Sequence, residues 1–546
     1  MAIGWLRAAF AVLSLTLVVS SPARAQWLKA ETDHFIIYGE TSERTIRTYA
    51  EKLERFDALL RAHYPISLDH EIPKLDIYLA EGDRGMEQAS PGISDSVGGF
   101  YVPNSGRIHA VIDTKSMSGD VVMFHEYGHH FMFQMAPTAY PSWFVEGFAE
   151  YYSTADTRVG RIQVGRHSEG RMLSFVQQPV NSWAPMADVL KWRVSDSGRY
   201  RGSDYYAQAW GLTHYFMSTP ERTRMLSQYL AAVSRGEESV SAMRAATGRT
   251  PEQLQTDMRR YLSGRIEVKT LQIELPSPTV EISRMTPGES ALAWLDIRLD
   301  REPVKFEPSE PRENESAQAR ERRERSDREE AENRVELIRD AVAAGARHRG
   351  ERMGLLVEAR AKRLAGDSPA AFALLEPVLT PDEADPATLR LAAELLLDQN
   401  GPETDPTVAA GNRREARAYL ARAYEADPLD FLIYRALDES RHGESGYPSD
   451  NDFQTLEIGL KIAPQSFDMR MRLGQAYMAR GLYNEAIVIV QPVVNDPHGS
   501  SWSRRAKALV ATAQAGMGQA VTPVTESPSD DEEADPATPA AAAPAA

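Results

Sequence analysis

Two histidines and a glutamate in the pentad His125-Glu126-Tyr127-Gly128-His129 are the residues of this chain best suited to metal chemistry. On an α-helix, positions four residues apart lie about 40° apart around the axis and about 6 Å apart along it, so both histidines would project from one face. That spacing suits two corners of a zinc tetrahedron. Glu126 lies about 100° to one side, too far round to join easily as a ligand but near enough to accept a proton from water. The pentad therefore predicts a zinc site with an adjacent base.

Apolar segments flank the pentad on both sides, at 121–124 (Val-Val-Met-Phe) and 131–133 (Phe-Met-Phe). An ordinary surface helix could carry the same pentad by chance, but these flanks favour a buried helix. Buried histidine and glutamate side chains are costly unless their polar atoms are satisfied, and a metal ion would satisfy them together. The context therefore favours a metal site over a solvated helix.

A second helix is predicted directly after the pentad. Pro137 and Pro141 interrupt the chain, so the first helix should end near Met135. Ser142 is a natural N-cap for a following helix over residues 142–153. The two helices would form a hairpin in which the second packs against the pentad.

Two glutamates, Glu146 and Glu150, share one face of this second helix. Taken alone, such a pair is more often solvated than buried. In the hairpin, this acidic face would lie against His125 and His129 among aromatic neighbours. A catalytic zinc needs a third protein ligand and an open position for water, so this face is expected to complete the site.

The pentad, followed after sixteen residues by Glu146 in the segment Trp-Phe-Val-Glu-Gly-Phe-Ala-Glu-Tyr (143–151), resembles the gluzincin metallopeptidases. This clan includes thermolysin and the aminopeptidase N group, and the Glu-Gly-Phe-Ala segment is most similar to the aminopeptidases. The resemblance implies that His125, His129 and Glu146 are zinc ligands. It also implies that Glu126 is the general base and that the reaction is hydrolysis of a peptide bond.

The same resemblance implies roles for Glu150 and for a tyrosine. Glu150 matches a second acid that hydrogen-bonds a ligand histidine and fixes its orientation. Aminopeptidase-like members use a tyrosine about sixty residues after the third ligand as a donor to the developing oxyanion, and Tyr205 and Tyr206 fit that place. Tyr206 aligns slightly better than Tyr205, and core packing is the alternative role for such a tyrosine.

One segment departs from the aminopeptidase pattern. Aminopeptidases of the clan carry a Gly-x-Met-Glu-Asn loop whose glutamate binds the free amino group of the substrate. The matching residues 97–101 (Val-Gly-Gly-Phe-Tyr) contain no acid. Without that anchor, we expect an endopeptidase, or an enzyme for a specialised peptide, in preference to a general aminopeptidase.

The predicted fold class is an α+β zincin-like peptidase domain followed by an all-α tetratricopeptide-repeat solenoid. Composition and pattern divide the chain into a signal peptide (1–25), a gluzincin-like metallopeptidase domain (26–266), a small β-rich connector (267–306), a charged linker (307–334), tetratricopeptide-like helical repeats (335–515) and a disordered acidic Pro/Ala tail (516–546). An exposed helix is the alternative for the charged linker.

Within the first domain, alternating and amphipathic patterns predict the individual elements. Strands are expected at 34–38 and 75–79, with a helix over 43–63 between them. A hairpin is expected to join strands 99–102 and 107–112. The 107–112 strand is expected to offer its edge to an extended peptide. Helices are also expected at 205–219, 221–234 and 251–263.

The C-terminal helical pattern resembles tetratricopeptide repeats. One unit is clear in residues 473–486, and Pro428, Pro464 and Pro497 recur at intervals of 36 and 33 residues. The family's repeat is about 34 residues long. Such arrays serve as spacers or bind peptides on a concave surface, so these repeats could recruit the substrate or a protein partner.

The N-terminus and the composition indicate an exported protein. Arg7, the apolar run 8–19 and the small-residue site 23–25 predict a secretory signal peptide, after whose removal no stable membrane span is expected. The absence of cysteine excludes disulfides, thiolate ligands and cysteine nucleophiles. The net charge of −17 argues against nucleic acid as a partner. We expect a periplasmic or extracellular location.

These features support two hypotheses of different classes. The first is an exported zinc metallopeptidase that hydrolyses peptide bonds with a zinc-activated water and Glu126 as general base, while its repeats recruit a peptide or protein substrate or a partner. The alternative is a catalytically weak or inactive peptidase fold that serves as a scaffold, with the repeats as the interaction module. The intact set of ligands, base and oxyanion donor favours the first.

Overall fold

The computed structural model describes residues 27–103, 106–116, 119–167, 171–172, 175, 183–191, 193, 202–309, 315–497, 499–518 and 540–541. The predicted signal peptide lies outside these residues, as does the predicted tail beyond residue 518 apart from 540–541. Across the described ranges, none of the helices combines the length and the apolar character needed to cross a membrane.

The N-terminal region is an α/β structure built on a mixed sheet. Its strands, with those of a smaller three-stranded sheet, are β1 (Trp27–Glu31), β2 (Phe35–Glu40), β3 (Leu75–Ala80), β4 (Gly99–Val102), β5 (His109–Asp113), β6 (Asp156–Arg158), β7 (Arg161–Val164), β8 (Lys269–Thr270) and β9 (Glu281–Arg284). Six strands form the large sheet in the order β4-β5-β3-β2-β1-β9, to which a two-residue strand, β10 (Ala540–Ala541), adds at β4. The strands β2, β3 and β5 are parallel and the other pairs are antiparallel.

The strands predicted for this region are confirmed, including the hairpin between β4 and β5. The role expected for the 107–112 strand is wrong, because β5 is paired with β3 on one side and β4 on the other. An interior strand has no free backbone groups for a peptide. The outer strand on this side is β4, whose own edge carries the short β10 pairing.

Nine helices of the described N-terminal region follow or separate these strands: α1 (Glu43–His63), α2 (Gly82–Ala89), α3 (Gly119–Met135), α4 (Ser142–Ser153), α5 (Met186–Lys191), α6 (Gly202–Met217), α7 (Pro220–Ser234), α8 (Ser239–Thr247) and α9 (Pro251–Leu262). The apolar core joins the sheet to α1, α3 and α4. Phe56 of α1 stacks on Phe124 of α3 with ring centroids 4.1 Å apart. Such aromatic pairs contribute about 0.5–1.5 kcal/mol beyond their burial, and this pair holds the pentad helix against α1.

Residues 267–306, predicted as a β-rich connector, contain β8, β9 and one helix, α10 (Pro287–Arg301). The helix begins with a capping box in which Thr286 and Glu289 bond each other's backbone N–H groups. In the segment predicted as a charged linker, residues 317–334 form the first part of a 31-residue helix, α11 (Ala317–Arg347). The exposed-helix alternative therefore describes this segment.

The rest of the C-terminal region is largely helical. Its helices are α12 (Arg352–Leu364), α13 (Ser368–Leu375), α14 (Pro386–Asp398), α15 (Pro406–Ala426), α16 (Phe431–Arg441), α17 (Asp450–Ile462), α18 (Phe467–Ala479), α19 (Tyr483–Val494) and α20 (Ser501–Gly516). Pro428, Pro464 and Pro497 each follow the end of a helix within three residues. Proline cannot continue a helix, so the recurrence seen in the sequence marks helix ends.

The C-terminal helices pack directly on the hairpin that carries the pentad. Gln134 of α3 donates a hydrogen bond from Nε2 to the carbonyl of Ile462 at 3.1 Å. Between the two hairpin helices, the carbonyl of Ala139 accepts a bond of 3.3 Å from Asn495. The C-terminal region therefore contacts the hairpin that carries the predicted zinc site.

Candidate metal centre

The helices α3 and α4 form the predicted hairpin, and α4 spans the predicted residues 142–153. Ser142 is its first helical residue and Pro141 occupies the N-cap position without a side-chain cap. The hydroxyl of Ser142 instead donates to the carbonyl of Pro497 at 3.2 Å. The N-cap prediction for Ser142 is wrong because a tertiary contact uses its hydroxyl.

The hairpin brings His125, His129 and Glu146 together. The Nε2 atoms of the two histidines are 3.1 Å apart, and Oε2 of Glu146 lies 3.4 Å from Nε2 of His125 and 3.6 Å from Nε2 of His129. All three side chains are buried, with no more than 3% of each residue exposed. They form a compact group of two nitrogens and one oxygen that could hold a metal ion.

The spacing of these three donor atoms fits zinc. In a tetrahedral site with ligands about 2.0–2.1 Å from the metal, neighbouring ligand atoms are about 3.3 Å apart. The three separations in the structure, 3.1, 3.4 and 3.6 Å, bracket that value. Two imidazoles and one carboxylate are also a donor set of catalytic zinc sites, which keep a fourth position open.

The charges around the site also suit a dication. The carboxylates of Glu126, Glu146 and Glu150 are all buried, and one buried guanidinium, that of Arg171, contacts this group. Burial opposes protonation of His125, but Glu146, followed by Glu150 and Glu126, raises its pKa to about 9. Metal binding would have to displace this proton. With neutral histidines, a dication would bring the charge of three carboxylates and one guanidinium to zero.

Glu150 lies behind the first histidine. Its Oε1 is 3.4 Å from Nδ1 of His125, slightly longer than an ordinary hydrogen bond. Arg171 grips the same carboxylate with two bonds, of 2.7 Å from Nη2 and 3.0 Å from Nε. Burial raises the pKa of Glu150, but Arg171 more than offsets it, so the net shift is downward. The carboxylate therefore stays charged and can orient the imidazole.

The contact of Arg171 with Glu150 was not predicted from the sequence. Arg171 is 7% exposed, and its guanidinium carbon also lies 5.3 Å from the centre of the Tyr206 ring. It stands twenty-one residues after Glu150 with no pattern that relates the two. Only the folded chain brings this cation to both side chains.

The two candidate tyrosines occupy different positions on α6. The ring of Tyr206 lies 6.4 Å from the ring of His125, centre to centre. Tyr205 is 1% exposed and packs in the large apolar core. Burial raises the pKa of Tyr206 well above its ordinary value, with the nearby glutamates adding to the shift, so its hydroxyl keeps its proton. Of the two, Tyr206 is the tyrosine whose ring lies beside a candidate ligand.

Two other histidines near the hairpin have bonds of their own. His130 is bonded through Nδ1 to the hydroxyl of Tyr101 at 3.1 Å. His214 bonds the carbonyl of Gly165 through Nε2 at 2.8 Å and the hydroxyl of Tyr261 through Nδ1 at 2.7 Å. Each is held in place by structural contacts away from the group of three ligands.

A second group with metal-ligand types, His34, Glu54 and Asp57, is a hydrogen-bonded network. Glu54 accepts bonds of 2.9 and 2.8 Å from the backbone and the ring of His34. Asp57 accepts bonds from Arg61 and from the hydroxyl of Tyr127. The carboxylates of this network already accept hydrogen bonds from protein donors, whereas the carboxylates of a metal site would bind the ion.

Close packing at Gly147 positions Glu146 against α6. Gly147→Ala is expected to push α4 away from α6, because a Cβ there would lie 2.1 Å from Oγ1 of Thr213 and 2.5 Å from the carbonyl oxygen of Ala209. Overpacking of this kind costs about 1–3 kcal/mol. Urea unfolding of the full chain measures the loss of stability. The same change is expected to move Tyr206, on α6, away from Glu146, on α4.

Gly411→Ala is the matched control. Gly411 lies in α15, and an added Cβ would meet no atom within 4 Å. Alanine is preferred over glycine in a helix by up to about 1 kcal/mol, so this variant should be neutral or more stable. Equal stabilities of the two variants would contradict the packing argument.

A cavity of about 620 Å³ lies between the hairpin and the C-terminal helices. Its wall includes His129 and Phe133 of α3, Val145 of α4, and Phe467 and Arg470 of α18. This volume is typical of sites for small ligands. One of the three candidate ligands therefore borders a space that both regions of the chain enclose.

The segment that carries the site matches a known family model. Residues 122–237, from the pentad helix through α7, match the model described as "Protein of unknown function (DUF1570)". The match includes all three candidate ligands, Glu126 and Tyr206. No curated protein matches the chain. The description of the family names no activity, so the geometry of the site carries the functional argument.

Proposed function

We propose that this chain is an exported zinc-dependent metallopeptidase. The observation that carries the proposal is the buried group of His125, His129 and Glu146, whose donor atoms have the spacing of a zinc tetrahedron. Glu126 follows the first histidine on the same helix and is fully buried beside this group. Ligands and a carboxylate base are the parts that hydrolysis of a peptide bond requires.

When bound, zinc would polarise both a water molecule and the carbonyl of the scissile peptide. In the proposed reaction, Glu126 accepts the proton of the attacking water and later transfers it to the leaving amine. Tyr206 keeps its phenolic proton and donates a hydrogen bond to the carbonyl oxygen as negative charge develops there. Glu150, held by Arg171, orients His125.

Endopeptidase action is the preferred form of this activity. The residues that match the aminopeptidase amine-binding loop end in strand β4 and contain no acid. The cavity beside His129 is instead lined by residues from both regions of the chain. These features favour recognition of the substrate away from its amino terminus.

For the C-terminal helices we propose a tetratricopeptide-like array, and for the N-terminal region a zincin-like fold. Support for the array comes from the helix ends at Pro428, Pro464 and Pro497 and from the close approach of α18 and α19 at Gly474, where a Cβ would lie 2.6 Å from Cγ1 of Val490. Small residues of this kind allow paired helices to approach closely. The proposed role of the array is to bind the substrate or a protein partner.

Removal of the metal tests the proposed function. The purified full chain is expected to contain about one zinc per molecule and to cleave members of an unbiased peptide library, as detected by mass spectrometry. A chelator should abolish cleavage, and added zinc should restore it, since Glu126 alone cannot activate water sufficiently. Cleavage that continues in metal-free protein, or no cleavage by the zinc-loaded chain, would contradict the proposal.

A further inference from the structure

A buried arginine that has no acidic partner among the described residues borders the cavity beside the candidate metal centre. Arg470 lies in α18, is 6% exposed and lines the cavity that also reaches His129. Its Nε donates to the carbonyl of Pro464 at 2.8 Å and its Nη1 to the carbonyl of Ile489 at 3.1 Å. Among the described residues, no carboxylate lies within 4.0 Å of it and Nη2 has no hydrogen-bond partner.

Other arginines of the same cavity wall are paired with acids. Arg360 contacts Asp296, and Arg363 and Arg390 both contact Glu394. The charges of these guanidinium groups are therefore balanced within the protein. A buried cation such as Arg470 is costly unless it is paired with an acid, and the carbonyl groups that bond it compensate only part of that cost.

The electrostatics of Arg470 reflect this lack of a partner. Burial lowers its pKa to about 10, with no nearby acid to offset the shift. The guanidinium still carries its charge at neutral pH. Two of its nitrogens are fixed by backbone carbonyls, so the group is held rigidly at the cavity wall with donor capacity to spare.

The helix that carries Arg470, α18, is linked to the pentad helix through the segment that precedes it. The segment before α18 docks on the pentad helix, because Gln134 bonds the carbonyl of Ile462. Gln134 stands five residues after His129, which is about 7.5 Å along the helix axis. The cavity volume of about 620 Å³ suits a short stretch of peptide that reaches from one region to the other.

We infer that Arg470 binds a carboxylate of the substrate in this cavity. The inference rests on the proposed function and adds a substrate class to it: peptides that carry a carboxylate a short distance from the cleaved bond. That carboxylate is either the C-terminal end of the peptide or an Asp or Glu side chain. Guanidinium–carboxylate recognition through charged hydrogen bonds is well suited to both.

The test measures retention of peptides on the full-length zinc-loaded Glu126→Gln chain, which should bind without cleaving. Three pools of N-acetylated, randomised tetrapeptides serve as probes: free acids without Asp or Glu, amides without Asp or Glu, and amides with Asp and Glu. At least one carboxylate-bearing pool should be retained about tenfold or more over the amide pool without Asp or Glu. Mass spectrometry of the retained peptides then distinguishes a chain end from an acidic side chain.

In the same background, Arg470→Gln is expected to remove this preference, and Arg470→Lys to preserve part of it because the charge remains. Arg505→Gln, at an exposed arginine of the cavity wall, is the matched control and should leave the preference intact. Thermal unfolding checks that each variant is folded. Because a peptide carboxylate could also bind zinc, the three pools are compared on the metal-free chain as well. A preference for carboxylate-bearing pools that persists there supports the inference even if the variants unfold, whereas equal retention of all three pools, or a preference lost with the zinc, would overturn it.

Cleavage by the wild-type chain separates this inference from the proposed function. Retention of carboxylate-bearing peptides that does not depend on zinc, by a chain that cleaves none when loaded with zinc, would contradict the peptidase and support the Arg470 site. Cleavage of all pools with equal efficiency would support the peptidase and overturn the Arg470 site. If both are right, cuts occur at a fixed distance from the chain end or from an acidic residue.

Discussion

Glu126→Gln is expected to reduce peptide cleavage by about 10²–10⁴-fold while the chain keeps its zinc. General acid–base catalysis by a positioned side chain contributes an effect of this size. Glutamine has nearly the same shape as glutamate but cannot accept the proton of the attacking water. Glu126 is fully buried and follows His125 on α3, while the three candidate ligands are other residues. The substitution should therefore remove the base without removing a ligand.

Two measurements on the same preparation test this expectation: zinc content by elemental analysis, and cleavage of the unbiased peptide library. Glu51→Gln, on the exposed side of α1, is the control for the chemical change and should cleave at the wild-type rate. Equal cleavage by Glu126→Gln and wild type would eliminate Glu126 as the base. Loss of zinc from Glu126→Gln would instead show that this carboxylate takes part in metal binding.

Glu146→Gln is expected to weaken zinc binding by more than 100-fold. Loss of a partner that only orients a ligand costs about 10–100-fold in metal affinity, and loss of a ligand should cost more. The Glu146 carboxylate lies 3.4 and 3.6 Å from the two histidine nitrogens, as a third tetrahedral ligand would. An uncharged amide at this point supplies a poorer zinc ligand and removes one of the three negative charges of the site.

Competition with a chelator of known affinity measures the change, and Arg171→Gln provides the graded comparison. Arg171 contacts Glu150 rather than the metal ligands, so its loss should weaken zinc binding by only about 10–100-fold. If Glu146→Gln binds zinc as tightly as Arg171→Gln does, Glu146 is not the third ligand. Thermal unfolding of the metal-free proteins separates these effects from loss of the fold.

The hairpin of α3 and α4 could be predicted because its signals are local. The spacing of His125 and His129 on one helix, the prolines that separate the helices and the acidic face with Glu146 all lie within thirty residues. Helical periodicity relates positions that are three or four residues apart without reference to the rest of the chain. The strands β2 and β3 and the β4–β5 hairpin were predictable for the same reason.

Other features depended on contacts between distant segments. Strand β5 lies inside the sheet because β3 pairs with it on the side that the hairpin partner β4 leaves open. The hydroxyl of Ser142 bonds Pro497 rather than capping its own helix. No periodicity in the sequence relates Ser142 to a residue 355 positions away. Pairing of a strand on both sides likewise depends on the order of the sheet, which local patterns do not specify.

By itself, the sequence determined the chemical types of the candidate site: two imidazoles at helical spacing, a carboxylate next to the first of them, and a further carboxylate, Glu146, on the helix that follows. Only the tertiary structure decided which tyrosine faces His125, that Arg171 holds Glu150, and that Arg470 borders the same cavity as His129. The physical reason is the separation along the chain over which each kind of interaction acts. Helix geometry acts over one or two turns, whereas burial and charge pairing join side chains that the chain separates by tens or hundreds of residues.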